Sequence, residues 1–260
     1  MIYIKPINAD LPSYLNEVIL RVIADAHIGD GLFNKDRLAK IIKEVEDNEN
    51  AYCIIDGDLI NNATRNSVSD IYAEQYNPEQ AIDILVDLLE PIKDKILAMT
   101  SGNHEERSSR SVGISIMRQV AKRLGIGDKY CYPTFLVFLS FGKNQGRDNR
   151  KTVYSIYGQH GSGGARTSGG KMNYLARMAQ TIDADIYIHA HTHLPAVFKK
   201  GFKRVDYRNR KVTHREHLFV NSGAFLDYGG YAERKDYDPP SKAQPRIILK
   251  GNERKMYGEV

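Results

Sequence analysis

Only two cysteines, Cys53 and Cys131, occur in 260 residues, far apart and in no pairing pattern. That scarcity excludes a disulfide framework and a thiolate metal site, so any metal must be held by nitrogen and oxygen. Long hydrophobic runs are also missing. No apolar stretch approaches a membrane span, and the opening MIYIKPINADLPSYLNEVIL lacks a charged start followed by a long apolar region. No membrane partner is expected, and the chain reads as cytoplasmic. Charge of one sign is only slightly in excess: 37 Lys and Arg against 32 Asp and Glu, a net +5 with a pI near 9.0. Such a balance permits an anionic partner without requiring one. The cations are denser in GKNQGRDNRK (142–151) and KKGFKRVDYRNRK (199–211), which read equally well as solvated hairpin tips. There is no internal repeat, low-complexity segment or clear linker. With 42% hydrophobic residues, one domain spanning 1–260 is expected.

What is present is an alternation of strand-length apolar runs with amphipathic segments. VILRVIAD, AYCIIDG and KILAMT read as strands, DRLAKIIKEVEDN and PEQAIDILVDLLEPI as helices, and ISIMRQVAKRLG as a helix closed by glycine. The texture then turns strand-rich, through TFLVFLSFG, TVYSIYG, DIYIHA, AVFKKGF, RKVTHREHLFV and PRIILK, with one helix around MNYLARMAQTI. This order predicts an α/β protein of buried sheets covered by helices.

Six of the eight histidines, at 27, 104, 160, 189, 191 and 193, fall at the ends of these strands. The ends read Asp25-Ala26-His27, Gly57-Asp58, Gly102-Asn103-His104-Glu105, Gly158-Gln159-His160 and His191-Thr192-His193. In open sheets of this kind ligands bind beyond the carboxyl ends of the strands, so five ends are expected to meet at one site. Residues two apart on an extended chain share a face, which would let Asp25 with His27, and His189, His191 and His193, converge. Carboxylate, amide and imidazole donors without sulfur suit hard to borderline cations, and a carboxylate can bridge two of them.

The order D-x-H, G-D, G-N-H-E, H, (G/A)-H-x-H resembles the calcineurin-like metallophosphoesterase superfamily. Ala190 stands where its members usually have glycine. The resemblance implies a four-layer αββα sandwich of two mixed β-sheets. It also implies two divalent metal ions, one held by Asp25, His27, Asp58 and His193, the other by Asp58, Asn103, His160 and His191. Manganese is the expected ion, with iron, zinc or nickel as alternatives. By the same resemblance, a hydroxide shared between the ions attacks phosphorus and His104 protonates the leaving group. His189 then sits behind the ligands, while Asp56 and Glu105 are expected to orient imidazoles. GDLINN and VNSGAFLDYGGYAER look like phage- or prophage-encoded members, which would put the protein in a host cytoplasm.

GSGGARTSGGK (161–171) is not a nucleotide phosphate loop, since Ala165 replaces its first glycine and Met172 its Ser or Thr. It is expected to form a loop beside His160, with Arg166 and Lys171 as candidate substrate contacts, alongside Arg107. The protein Ser/Thr phosphatase branch carries arginines in G-D-x-V-D-R-G and just before G-N-H-E, where this chain has Asn61-Asn62 and Ser101. Losing two guanidiniums weakens the grip on a dianionic monoester. A phosphodiesterase acting on nucleic acid (DNA or RNA) or nucleotides is therefore expected. The alternatives are a phosphomonoesterase or a non-catalytic nucleic-acid-binding scaffold. The tyrosines of DYGGYAERKDY (227–237) are candidate base-stacking groups.

Overall fold

A computed structural model describes residues 4–65, 67 and 71–260, and among these residues it has eleven strands and six α-helices. The strands are β1 (Ile7–Asp10), β2 (Glu17–Ile23), β3 (Ala51–Asp56), β4 (Ile96–Thr100), β5 (Thr134–Phe141) and β6 (Thr152–Gln159). They continue with β7 (Ile186–His189), β8 (Ala196–Asp206), β9 (Lys211–Asn221), β10 (Arg246–Lys250) and β11 (Met256–Glu259). The helices are α1 (Lys35–Asp47), α2 (Pro78–Leu89), α3 (Asn103–Val112), α4 (Ile116–Arg123), α5 (Ser168–Arg177) and the short α6 (Gly230–Arg234).

Two mixed sheets result, ordered β11-β10-β2-β3-β4 and β1-β5-β6-β7-β9-β8. In the first, β2, β3 and β4 run parallel while β10 and β11 alternate in direction. In the second, β6, β7 and β9 are parallel, and β5 and β8 pair antiparallel with their neighbours β6 and β9. Leu20, Ile54 and Leu97 of one sheet pack against Phe135, Val137, Ile156, Ile188 and Val220 of the other. The outer face of the first sheet (Ile23, Cys53, Ile55, Met99) lies under α1, α2 and α4; that of the second (Tyr157, Tyr187, Phe219) lies under α5. Buried residues of α1 are Leu38, Ile41, Ile42 and Val45, a stripe at helical spacing, and the side chain of Asn34 caps its first turn. The expected αββα arrangement is therefore present. No helix among the described residues is long and apolar enough to cross a membrane.

β1, β11, α3 and the short α6 have no counterpart in the sequence pattern. The two strands are four-residue edges of their sheets with no fully buried position, so they carry no strong apolar alternation. In α3, NHEERSSRSV buries only Glu105. A helix without an apolar face leaves no period to read.

One buried carboxylate ties the second sheet to the β10–β11 turn. Asp185 accepts from the Ser155 N–H and hydroxyl, each at 2.9 Å, and from Arg254 Nη2 at 2.7 Å through both oxygens. Burial pushes its pKa upward, but the Ser155 bonds and the Arg254 guanidinium hold it below the ordinary 3.8. A lowered folded-state pKa gives stability that is present above the unfolded value and lost as pH falls through the folded one. Asp185→Asn is therefore expected to cost about 2–3 kcal/mol in urea titrations at neutral pH. The deficit should shrink below pH 3.8.

Candidate metal centre

The carboxyl ends of β2, β3, β4, β6 and β7 deliver the candidate residues to one place, although not by strand alternation. β2 stops at Ile23 and β7 at His189, so Asp25, His27, His191 and His193 lie past the strands. Their φ angles are 52°, 52°, 63° and 54°, and Asp58, after Gly57 at 77°, has 50°. This left-handed backbone costs a residue with a Cβ about 1–2 kcal/mol. Five of the seven candidate ligands adopt it, and such strain concentrates at functional sites. Hydrogen bonds impose it: Asp25 N–H to Gly57 O and His27 N–H to Asp58 O, both 3.0 Å, with Phe225 N–H to Asp25 O at 2.9 Å. The loops also touch closely. A Cβ on Gly57 would lie 2.4 Å from Gly102 N, and one on Gly102 would lie 2.1 Å from Asp58 Oδ1. The glycines of G-D and G-N-H-E are thus required by contact between the two turns.

Among the described residues, three groups of side chains offer ligand atoms within 4.8 Å of one another: Asp25, His27 and His193; His27, Asp58 and His104; and Asp58, His160 and His191. Asp25 Oδ1 lies 3.2 Å from His193 Nε2, 3.8 Å from His160 Nε2 and 3.9 Å from His27 Nε2. Asp58 Oδ2 is 3.0 Å from His160 Nε2 and 3.9 Å from His104 Nε2. His27 and His193 Nε2 approach to 3.3 Å. Asn103 Oδ1 is buried with no hydrogen-bond partner among the described residues, and an amide oxygen left bare beside this cluster fits a cation ligand. The donor set therefore fits a dinuclear centre of Asp and His residues.

The electrostatics are those of carboxylates and imidazoles withdrawn from water together. Burial works upward on Asp58, yet His160 and His104 hold its pKa well below the ordinary carboxylate value. Burial works downward on His160, but Asp58 and Asp25 hold it well above. At His27 burial prevails and the pKa falls well below 6.5. His160 Nδ1–H donates to the Asp56 carbonyl at 2.5 Å, which turns Nε2 toward Asp58.

Asp56 thus orients an imidazole through its backbone. Its own carboxylate is buried without a hydrogen-bond partner among the described residues, and burial raises its pKa well above normal. Glu105 does not orient an imidazole, contrary to expectation. It accepts from the N–H groups of Gly102 at 2.8 Å, Asp58 at 2.9 Å and Ile60 at 3.1 Å, which clamps the two turns together. Burial, then Asp58, raises its pKa to about 7. His189 belongs to none of these ligand groups: its Nδ1–H donates to Asn221 Oδ1 at 2.9 Å and its ring stacks on Tyr174. Asn221 Nδ2 reaches Thr192 Oγ1 at 2.8 Å and Leu194 O at 2.7 Å, so this fully buried amide holds the H-x-H loop. The V-N-S-G segment was its only signal in the sequence.

His104 borders the centre, its ring centroid 4.4 Å from that of His27. A cleft of about 470 Å³ opens beside Asn103 and His160, with Arg110, Tyr132, Tyr174 and Arg177 in its walls. Arg107, Arg166 and Lys171 are not among its lining residues. Arg107 Nη1 donates to Asn61 O at 3.0 Å and Nη2 to His104 Nε2 at 3.0 Å. Arg166 is exposed, its guanidinium 5.4 Å from the Tyr237 ring centre, and Lys171 lies in the first turn of α5. Of the tyrosines in 227–237, Tyr228 is exposed; the side chain of Tyr231 lies outside the described residues.

Among curated proteins, nothing matches this chain. Solved structures that resemble it include a conserved uncharacterized protein, a predicted phosphoesterase, from Streptococcus pneumoniae TIGR4, at 13% identity and TM-score 0.37, covering 94% of this chain and 99% of that one. Others are a Vps29 single mutant from Entamoeba histolytica (14%, TM-score 0.45, 92% and 89% covered) and vacuolar protein sorting 29 from Cryptosporidium parvum (14%, 0.42, 93% and 90%). The profile described as calcineurin-like phosphoesterase matches residues 20–195, which spans every strand end that meets at the centre. On that match, over more than half of its length, and with the Asp and His cluster at its centre, the chain belongs to the calcineurin-like phosphoesterase family and is a metal-dependent phosphoesterase.

Proposed function

We propose that this protein is a phosphodiesterase acting on nucleic acid or nucleotides. In this reading Asp25, His27, Asp58 and His193 hold one divalent cation and Asp58, Asn103, His160 and His191 the other, with manganese the ion expected to support activity. When bound, such a pair neutralises phosphate oxygens and makes water nucleophilic near neutral pH. His104 lies at the rim of the cluster to serve the leaving group, and the cleft beside Asn103 and His160 takes the rest of the substrate.

The observation that carries the choice of diester over monoester is what surrounds the centre after Asp58. Asn62 Nδ2 donates to His104 O at 2.7 Å, and its Oδ1 accepts from Ser108 Oγ at 3.1 Å, so this position is used to hold the start of α3. Ser101 Oγ is engaged by Tyr130 OH at 2.9 Å. Arg107, the guanidinium nearest His104, is spent on backbone carbonyls and on that imidazole. A dianionic monoester carries more charge than a diester and needs guanidiniums aimed at it.

The test is a substrate panel on protein stripped with chelator and reloaded with manganese: nitrophenyl monoester, phosphoserine peptide, bis(p-nitrophenyl) phosphate, cyclic nucleotide, DNA and RNA. The expected result is a higher kcat/KM for a diester or nucleic acid than for either monoester. The reverse order overturns the reading.

A further inference from the structure

We propose that the β8–β9 ribbon is a duplex-DNA-binding arm that enters the major groove. The choice of partner rests on the phosphodiester reading above. Residues 196–221 carry eight Lys or Arg against two Asp or Glu, a net +6 in a chain of +5, so the rest of the molecule is at −1. The protein's whole positive excess therefore sits on this one hairpin.

The two strands pair from Ala196↔Asn221, at the metal centre, to Asp206↔Lys211 at the far end. Ten residues at roughly 3.3 Å each put the tip about 30 Å from the centre. Near the base the ribbon belongs to the sheet, and Leu218, Phe219 and Val220 are buried. Beyond it the alternation stops: Lys203, Arg204 and Val205 are exposed in succession, as are Lys211 and Val212 opposite them. Adjacent residues of a strand point to opposite faces, so both faces of the outer ribbon meet solvent.

Cations occupy both faces. Lys199 and Lys203 share one with His214, while Lys200, Arg204, Lys211 and Arg215 share the other. Arg204 and Arg215 are tied to Asp183, at 3.2 and 3.7 Å, but Lys203, Arg208, Arg210 and Lys211 form no ion pair among the described residues. Apolar groups stand beside them at the tip: Tyr207 is 86% exposed and Val212 63%.

A two-stranded ribbon fits the B-form major groove, whose two walls are phosphate, so cations on both faces have partners at once. A flat anionic surface such as a membrane would be met by one face only. The A-form major groove is too narrow to admit the ribbon, which favours DNA over double-stranded RNA. The reach of about 30 Å is close to one helical turn of DNA, so a duplex long enough to touch both the tip and the metal centre spans about ten base pairs.

The test uses the full chain and a variant with Lys203→Ser, Arg208→Ser, Arg210→Ser and Lys211→Ser, with Lys203→Arg/Lys211→Arg as a charge-conserving control. Binding of a fluorescent duplex of about forty base pairs, nearly four helical turns, is measured by anisotropy in chelator across a salt series. Single-stranded DNA, double-stranded RNA and anionic vesicles are run alongside. The wild type and the control should bind duplex DNA best. The quadruple variant should lose at least tenfold in affinity, and the slope of log K against log salt should fall by roughly three to four. Turnover of bis(p-nitrophenyl) phosphate, too small to reach the arm, should be unchanged. Equal duplex affinity in wild type and quadruple variant overturns the proposal, as does preference for RNA, single strands or vesicles. Arm-dependent duplex binding without any diester turnover would sink the catalytic reading and leave the arm standing; diester turnover without arm-dependent binding would do the opposite.

Discussion

Asp58→Asn is expected to lower kcat/KM for bis(p-nitrophenyl) phosphate at least a thousandfold, about 4 kcal/mol of transition-state stabilisation. Elemental analysis of the same preparation should show the metal content falling from two ions per chain toward one. Asp58 is the residue shared by the two proposed ligand sets, and it is nearly fully buried. One oxygen accepts the His104 N–H at 2.8 Å while the other faces His160 Nε2 at 3.0 Å. Asparagine keeps the shape and can still accept from His104 N–H, so the turn should survive. It loses the negative charge that lets one side chain hold two cations close together. The choice of amide over alanine matters because alanine would also orphan a buried N–H, costing about 1–3 kcal/mol of folding stability and confusing the readout. A variant that keeps both full turnover and two ions per chain would remove Asp58 from the centre. A variant that keeps two ions but loses turnover would place its role in the reaction rather than in holding metal.

Much of the centre was legible because its residue types are rare and its spacings repeat. Histidine is scarce, and finding six at the ends of apolar runs is a signal that needs no knowledge of backbone angles. The spacing nonetheless has another geometric origin than strand alternation. D-x-H and H-x-H read like strand alternation, but the chain leaves the sheet before each pair and turns through left-handed backbone. A pattern of two is produced by either route, so spacing alone does not separate them.

The supports were harder to see because they act at long sequence distance. Asn221 is held against a loop 27 to 32 residues away, and Glu105 against backbone 45 to 47 residues away. Neither a carboxylate that accepts three N–H groups nor an amide that pins a loop has a local motif. The fold followed the same division. Central strands announced themselves by what they bury, whereas β1 and β11 at the sheet edges and the polar α3 did not.

His104→Gln should act on the reaction in proportion to how badly the leaving group needs a proton. The Nδ1 of His104 lies 2.7 Å from the Asn61 carbonyl, which can only accept, so Nδ1 carries a hydrogen. That fixes the ring and leaves Nε2 as the atom that must first take up a proton, forming the imidazolium, before it can hand one to the leaving group. Nε2 stands 3.9 Å from Asp58 Oδ2 at the edge of the cluster, and Arg107 Nη2 contacts it at 3.0 Å. A guanidinium only donates, so Arg107 must move off Nε2 before that nitrogen can serve a departing oxygen. General acid catalysis contributes about 10²–10⁴-fold when the leaving alkoxide is unstable. A dinucleotide or DNA substrate, which expels a sugar oxygen, is therefore expected to lose kcat by that factor in His104→Gln. Nitrophenyl esters expel an anion that is stable without protonation, so their kcat should fall about tenfold or less, the part due to lost positioning. Metal content should stay at the wild-type value, since His104 belongs to neither proposed ligand set. Parallel kinetics on a nitrophenyl diester and a dinucleotide decide the matter: equal losses on both substrates would show that His104 positions the site or stabilises phosphate and does not donate the proton.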